Sequence, residues 1–182
     1  MQRKAILSIL VQNRPGVLAQ IASMFAARGY NIDSLVVGRT EDPKLSRMVL
    51  VTWGDQATLE QIRKQLGKIV TSVKVRDLTE SACVERDLLL IRVYCPPAVR
   101  GELRHLTEVF RGTIVDVGAQ AVIVSLTGTE EKVEAFIELC RPYGIQEMAR
   151  TGVVAMPRAT QPSGTSRRPA PAAQPAAALP PS

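Results

Sequence analysis

The chain has 182 residues, 46% of them hydrophobic and 4% aromatic, and carries a net charge of +6. Such a chain can bury a real core, packed mainly with aliphatic side chains, and none of its apolar runs approaches the roughly 20 residues that span a bilayer. The charge is a weak argument for nucleic acid: Arg158, Arg167 and Arg168 follow Met156 without any acid, which leaves about +3 on the rest, with both signs interspersed rather than gathered into a basic face.

Residues 1–4 (MQRK) lead straight into a strand-like run, so no signal or transit peptide is expected. Residues 5–11 form an apolar β run, with Ile6, Ser8 and Leu10 on one face and Leu7, Ile9 and Val11 on the other. A polar turn, Asn13-Arg14-Pro15-Gly16, precedes a predicted helix over 15–28. Pro15 suits a first helical position. Val17, Leu18, Ile21, Ala22 and Phe25 recur at three- and four-residue spacing as one apolar stripe. Gly29 can take the left-handed conformation that ends a helix. Strands are expected at 31–39 and 46–53, either side of the polar turn 41–44. Gly54-Asp55 opens a second helix carrying Leu59, Ile62 and Leu66, with Gly67 near its end, and 69–78 is a fourth strand. The order β-α-β-β-α-β is the ferredoxin-like plan.

Residues 79–86 read as a linker, after which the order recurs. A strand over 87–95 leads to a helix over 97–110 with Val99, Leu103, Leu106 and Phe110 on one face, closed by Gly112. Strands at 113–117 and 121–126 flank the turn Gly118-Ala119. Thr129 can cap a helix carrying Val133, Phe136, Ile137 and Cys140, and 143–154 is the last strand. The expected fold is therefore α+β, with two ferredoxin-like units at 1–78 and 87–156. From Pro157 the composition changes: seven of the last 26 residues are Pro and seven are Ala, without apolar periodicity. Residues 157–182 are expected to be a disordered tail, because they cannot bury enough surface to offset their ordering entropy.

No catalytic constellation stands out. His105 is the single histidine and sits in an amphipathic helix, with no Ser, Cys or acid in a recognisable partner motif. There is no Gly-rich phosphate loop and no dinucleotide fingerprint. Cys83, Cys95 and Cys140 lack metal-site spacing and fit a reducing cytosol better than a disulfide framework. Cys95 and Cys140 read as core, and Cys83 as a residue of the linker. The chain reads as a binder without catalytic or metal-ligating residues. Its one suggestive feature is the 13–16 turn. The first amides of a helix lack internal partners and face the positive end of the dipole. Free N–H groups at Gly16, Val17 and Leu18 would suit a carboxylate, and Gly16 would let it approach the backbone. The same residues equally describe a strand-to-helix turn that binds nothing.

The run QNRPGVLAQIASMFAARGYNIDSLVVG, followed by SRMVLVTW, resembles the regulatory small subunit of acetolactate synthase (acetohydroxyacid synthase), whose N-terminal half is an ACT domain. VERDLLLIRV and FRGTIVDVG resemble that family's second domain, so the resemblance reaches from residue 1 to about 156 and assigns the tail no role. It implies a cytoplasmic, non-catalytic subunit that associates with a large catalytic subunit using thiamine diphosphate, magnesium and FAD. That enzyme condenses two pyruvates, or pyruvate with 2-oxobutyrate, in branched-chain amino-acid synthesis. The small subunit raises its activity and confers feedback inhibition, usually by valine. The resemblance further implies a homodimer of ACT domains, with the effector between the helix-one turn of one protomer and strand two of its neighbour. Carried onto this sequence, the amides of Gly16, Val17 and Leu18 take the carboxylate. Asn13 fixes the turn and hydrogen-bonds the ligand. Asn31 of the neighbour, with the backbone near Ile32, faces the ammonium group. Val17, Leu18 and Ile32 line an aliphatic pocket or belong to ordinary core. Two other classes stay open: a free-standing ACT amino-acid sensor, and a nucleic-acid-binding sheet. The second is disfavoured because strands one and three offer only Trp53 for base stacking.

Overall fold

The computed structural model describes residues 2–160. Both halves adopt the expected βαββαβ order. The first contains β1 (Arg3–Gln12), α1 (Val17–Ala26), β2 (Ser34–Arg39), β3 (Leu45–Gly54), α2 (Gln56–Lys68) and β4 (Ser72–Asp77). The second contains β5 (Cys83–Tyr94), α3 (Arg100–Val109), β6 (Thr113–Val117), β7 (Ala121–Gly128), α4 (Glu130–Cys140) and β8 (Ile145–Arg150), and β9 (Val154–Pro157) follows. The antiparallel sheets run β2-β3-β1-β4 and β6-β7-β5-β8. In each, the first strand of the unit is central and β2 or β6 forms an edge.

Alternation along the central strands decides what each face buries. Leu7, Ile9 and Val11 join Met48 and Leu50 beneath α1 and α2, whose Ile21, Phe25, Ile62 and Leu66 close the first core. Leu89, Ile91 and Val93 do the same beneath α3 and α4, with Leu103, Val133, Phe136 and Cys140. Cys95 and Cys140 are fully buried, as expected.

Several boundaries move, for identifiable reasons. The first helix begins at Val17 rather than Pro15, because Gly16 adopts φ +84°, outside helical geometry, and leaves Pro15 in the turn. Strand two starts at Ser34; residues 31–33 form a loop tied to β3. The third helix is preceded by a 3-10 turn, Pro97–Val99. It ends on Arg111, which itself takes φ +54°, and not on Gly112. Gly112 answers a different demand: a Cβ there would stand 3.2 Å from Thr107 Cγ2 and 3.3 Å from the Ser125 carbonyl oxygen.

The largest departure joins the two halves. Cys83–Arg86, read from sequence as linker, extends β5 and pairs with β9. The long last strand expected over 143–154 is broken at Thr151–Val153. The β9 segment then turns back over the N-terminal sheet, where Val153 and Ala155 pack on Ile6, Val49, Val51 and Leu78, on the face opposite α1 and α2. The apolar outer face of β1 thus acquires a cover, which explains why Ser8, Ile6 and Val49 are buried although no helix lies on them. Lys4 and Glu130 form an ion pair between the halves. Pro157, assigned from composition to the tail, ends β9, and the Arg158 amide donates to the Ala82 carbonyl at 3.1 Å. The rest of the expected tail, 161–182, lies outside the described residues.

Candidate functional site

The turn before α1 is built by two strands and a hairpin. The Asn13 amide donates to the Lys44 carbonyl at 2.7 Å, and Asn13 Nδ2 donates to the Pro43 carbonyl at 3.0 Å. The 41–44 turn thus anchors Asn13 from both its backbone and its side chain. The expectation that Asn13 fixes the turn therefore has a specific partner, and its Oδ1 remains the polar atom that can face a ligand. Gly16 is the N-cap; its carbonyl accepts from the Gln20 amide at 2.9 Å. No side chain caps this helix, and its first turn contains no acid. The amides that lead α1 consequently keep their dipole without an internal anion. A Cβ on Gly16 would meet nothing within 4 Å.

The other end of α1 delivers the second group. Gly29 takes φ +67°, the Tyr30 amide returns to the Phe25 carbonyl at 3.0 Å, and the Tyr30 and Phe25 rings meet edge-on at 6.0 Å. This closure hands the chain to the 31–33 loop. Thr52 Oγ1 donates to the Asn31 carbonyl at 2.6 Å and the Asp33 amide donates to the Val51 carbonyl at 2.9 Å. With its backbone pinned, Asn31 presents an exposed side chain.

The apolar candidates part company. Val17 is 4% exposed and belongs to the core with Ile21 and Phe25. Ile32 packs partly buried against the same cluster. Leu18 is 45% exposed and is the one of the three that projects to solvent. Asn13, Arg14, Pro15, Gly16 and Asn31 are all exposed in the single chain. Two hollows of about 330 and 510 Å³ flank α2, lined in part by Arg63, Lys64 and Lys74 and by Arg3, Glu60 and Glu80, and neither includes the turn residues.

Thr52 was missed from sequence, although a signal existed: in SRMVLVTW it continues the inward series Met48, Leu50, and a hydroxyl at a core position needs a partner. Cys83 is partly buried, with its Sγ donating to Glu85 Oε1 at 3.3 Å; burial, then the neighbouring carboxylate, raise its pKa. That environment is unsuited to a reactive thiolate. No helix among the described residues is long and apolar enough to cross a membrane.

Two stacked ferredoxin-like units with an uncapped glycine turn leading α1 define an ACT-domain protein with a second domain of the same plan. Comparison with known proteins agrees, half by half. Residues 7–74 match the "AHAS small subunit-like ACT domain" model and residues 86–159 match "Small subunit of acetolactate synthase". The probable acetolactate synthase small subunit of Archaeoglobus fulgidus is 54% identical over 155 residues, covering 85% of this chain and 97% of that one. The isozyme 3 small subunit of Escherichia coli is 44% identical over 156 residues, 85% of this chain and 96% of its own. The crystal structure of the Thermotoga maritima acetolactate synthase small subunit superposes with a TM-score of 0.78 at 46% identity, covering 86% and 98% of the two chains. The chain belongs to the acetolactate synthase small-subunit family.

Proposed function

We propose that this chain is the regulatory subunit of an acetolactate synthase: it binds a large catalytic subunit, raises its activity and confers feedback inhibition by valine. The observation that carries the effector reading is the α1 turn, where the amides after Gly16 stand unopposed by any cap or acid. They would take the carboxylate of an amino acid, with Asn13 Oδ1 as the adjacent acceptor. In this reading the missing wall comes from a second copy. Strand β2 is an edge of its sheet, and an edge strand offers unpaired backbone groups to a partner. The neighbour's 31–33 loop then supplies Asn31 to the ammonium group, while Leu18 and Ile32 contact the aliphatic side chain. Val17 serves the site through its amide, its side chain being core. The thiamine diphosphate, magnesium and FAD of the reaction belong, in this reading, to the catalytic partner, and the small subunit acts on the balance between that partner's states.

Inhibition requires valine to favour the less active arrangement, and association in the activated form must then weaken valine binding by the same factor. Calorimetric titration of the purified chain with valine, and with leucine and isoleucine as comparators, tests the site. Saturable valine binding that disappears in Gly16→Asp is the expected result. Valine binding unchanged by Gly16→Asp would remove the turn from the site.

A further inference from the structure

Between β8 and β9 the chain crosses from one domain to the other, and the crossing point touches the candidate effector site from behind. Gly152 takes φ +77°, and a Cβ on it would stand 2.5 Å from Ser34 Cβ and 2.9 Å from Ser34 Oγ. Only glycine lets the two backbones approach this closely. Ser34 is the first residue of β2 and directly follows the 31–33 loop, and its hydroxyl is buried without a hydrogen-bond partner. On the other side, Gly152 is fastened to the C-terminal domain. The Thr151 amide donates to the Leu88 carbonyl at 3.0 Å, the Leu88 amide donates to Thr151 Oγ1 at 3.1 Å, and Thr151 Oγ1 donates to the Gly152 carbonyl at 2.8 Å. Arg150, one residue earlier, ties β8 to buried Asp87 on β5 and to Glu134 on α4.

We infer that the Ser34–Gly152 contact couples effector occupancy at the 31–33 loop to the C-terminal domain, with Gly152 as a positioning residue; this rests on the effector reading proposed above. A shift of the loop that orders Asn31 around a ligand must move Ser34, the next residue but one from Ile32. Ser34 cannot move toward Gly152 without displacing it, since the pair already lacks room for a methyl group. Gly152 in turn carries Thr151 and Leu88 with it. Close-packed contacts of this kind pass small displacements on rather than absorb them. The unpaired Ser34 hydroxyl fits a residue held by its contact with Gly152 rather than by a hydrogen bond of its own.

The test uses the full-length chain, alone and reconstituted with its catalytic subunit, as wild type, Gly152→Ala, Ser34→Ala, Ser34→Gly and Ser34→Gly/Gly152→Ala. Gly152→Ala is expected to bind valine within about twofold of wild type while losing at least about fivefold of the coupling between valine and catalysis. Ser34→Gly in the same chain, which removes the colliding atoms, is expected to restore part of it. Wild-type inhibition in Gly152→Ala overturns the inference. So does a loss of valine binding equal to the loss of inhibition, which would make the contact part of the pocket. Ser34→Ala removes only an unpartnered oxygen and guards against a misfolded Gly152→Ala. Amide hydrogen exchange reads the link without any effector: Ser34→Gly, which removes the contacting Cβ, is expected to speed exchange at Leu88 and Thr151 by about threefold or more, while Ser34→Ala, which keeps it, is expected to leave that exchange unchanged. A change confined to β2 overturns the coupling whatever valine does, whereas failure of the wild type to bind valine counts against the effector reading alone.

Discussion

Thr52 Oγ1 stands 2.6 Å from the carbonyl oxygen of Asn31, a buried side chain on β3 holding the loop that presents an exposed one. Replacing Thr52 by Val keeps the shape and deletes the donor. The orphaned carbonyl is expected to cost about 1–3 kcal/mol of stability, read as a lower urea midpoint at unchanged slope. Valine affinity is expected to fall with it, while activation of the catalytic subunit persists.

Gly16 has open space in front of it but a backbone angle that L-residues avoid. Gly16→Ala is expected to destabilise the chain by about 1–2 kcal/mol through the left-handed conformation alone. Gly16→Asp adds an anion before the α1 amides and is expected to abolish valine inhibition. Comparing the two in the same titration separates strain from charge.

Asn31→Ala removes the exposed side chain expected to meet the effector's ammonium. Inhibition by valine is expected to weaken at least about tenfold, the scale of a hydrogen bond to a charged group. Sedimentation of the variant checks the alternative: loss of the proposed dimer would make Asn31 structural.

How much of this was open to reading from the sequence differs by layer. The helices and strands followed from apolar spacing, because each packs one face on a core and the 3.6 and 2.0 periods record that face. Gly29 was legible because a left-handed backbone angle restricts residue choice, whereas the left-handed N-cap at Gly16 was not, since Pro15 read as a first helical position and so placed Gly16 inside the helix. The return of β9 was not, since VVAMP pairs with residues some seventy positions earlier and its two buried members, Val153 and Ala155, look like the end of the preceding strand. The pairing of Asn13 with Pro43 was hidden for the same reason: local patterns carry no address for distant partners.

Asp87 is 1% exposed and its carboxylate accepts from Arg150 Nε at 3.0 Å. Arg150→Met leaves that charge buried and unpaired, with an expected loss of about 3–5 kcal/mol by chemical denaturation. Asp87→Asn in the Arg150→Met background is expected to recover part of the loss, because a neutral amide is cheaper to bury than a lone carboxylate.

Burial pushes the Cys140 thiol up from 9.0 to about 11. A group whose pKa rises on folding stabilises the fold below its ordinary pKa and loses that contribution as pH climbs through the raised value. The urea midpoint is therefore expected to decline between about pH 9 and 11, and to decline less in Cys140→Ala, although that variant starts lower for the cavity it makes. In the native chain at pH 8, thiol reagents are expected to spare Cys95 and Cys140.

The return of β9 also sets a timetable for synthesis. Ile6, Val49, Val51 and Leu78 leave the ribosome long before Val153 and Ala155 exist to cover them. The first domain can close its helix-side core while its other face is still bare, and a bare apolar sheet face invites association with neighbouring nascent chains. A gene cut to encode only the first domain would make that interval permanent, so its product is expected to aggregate through this bare face, beyond the pairing proposed for the whole chain.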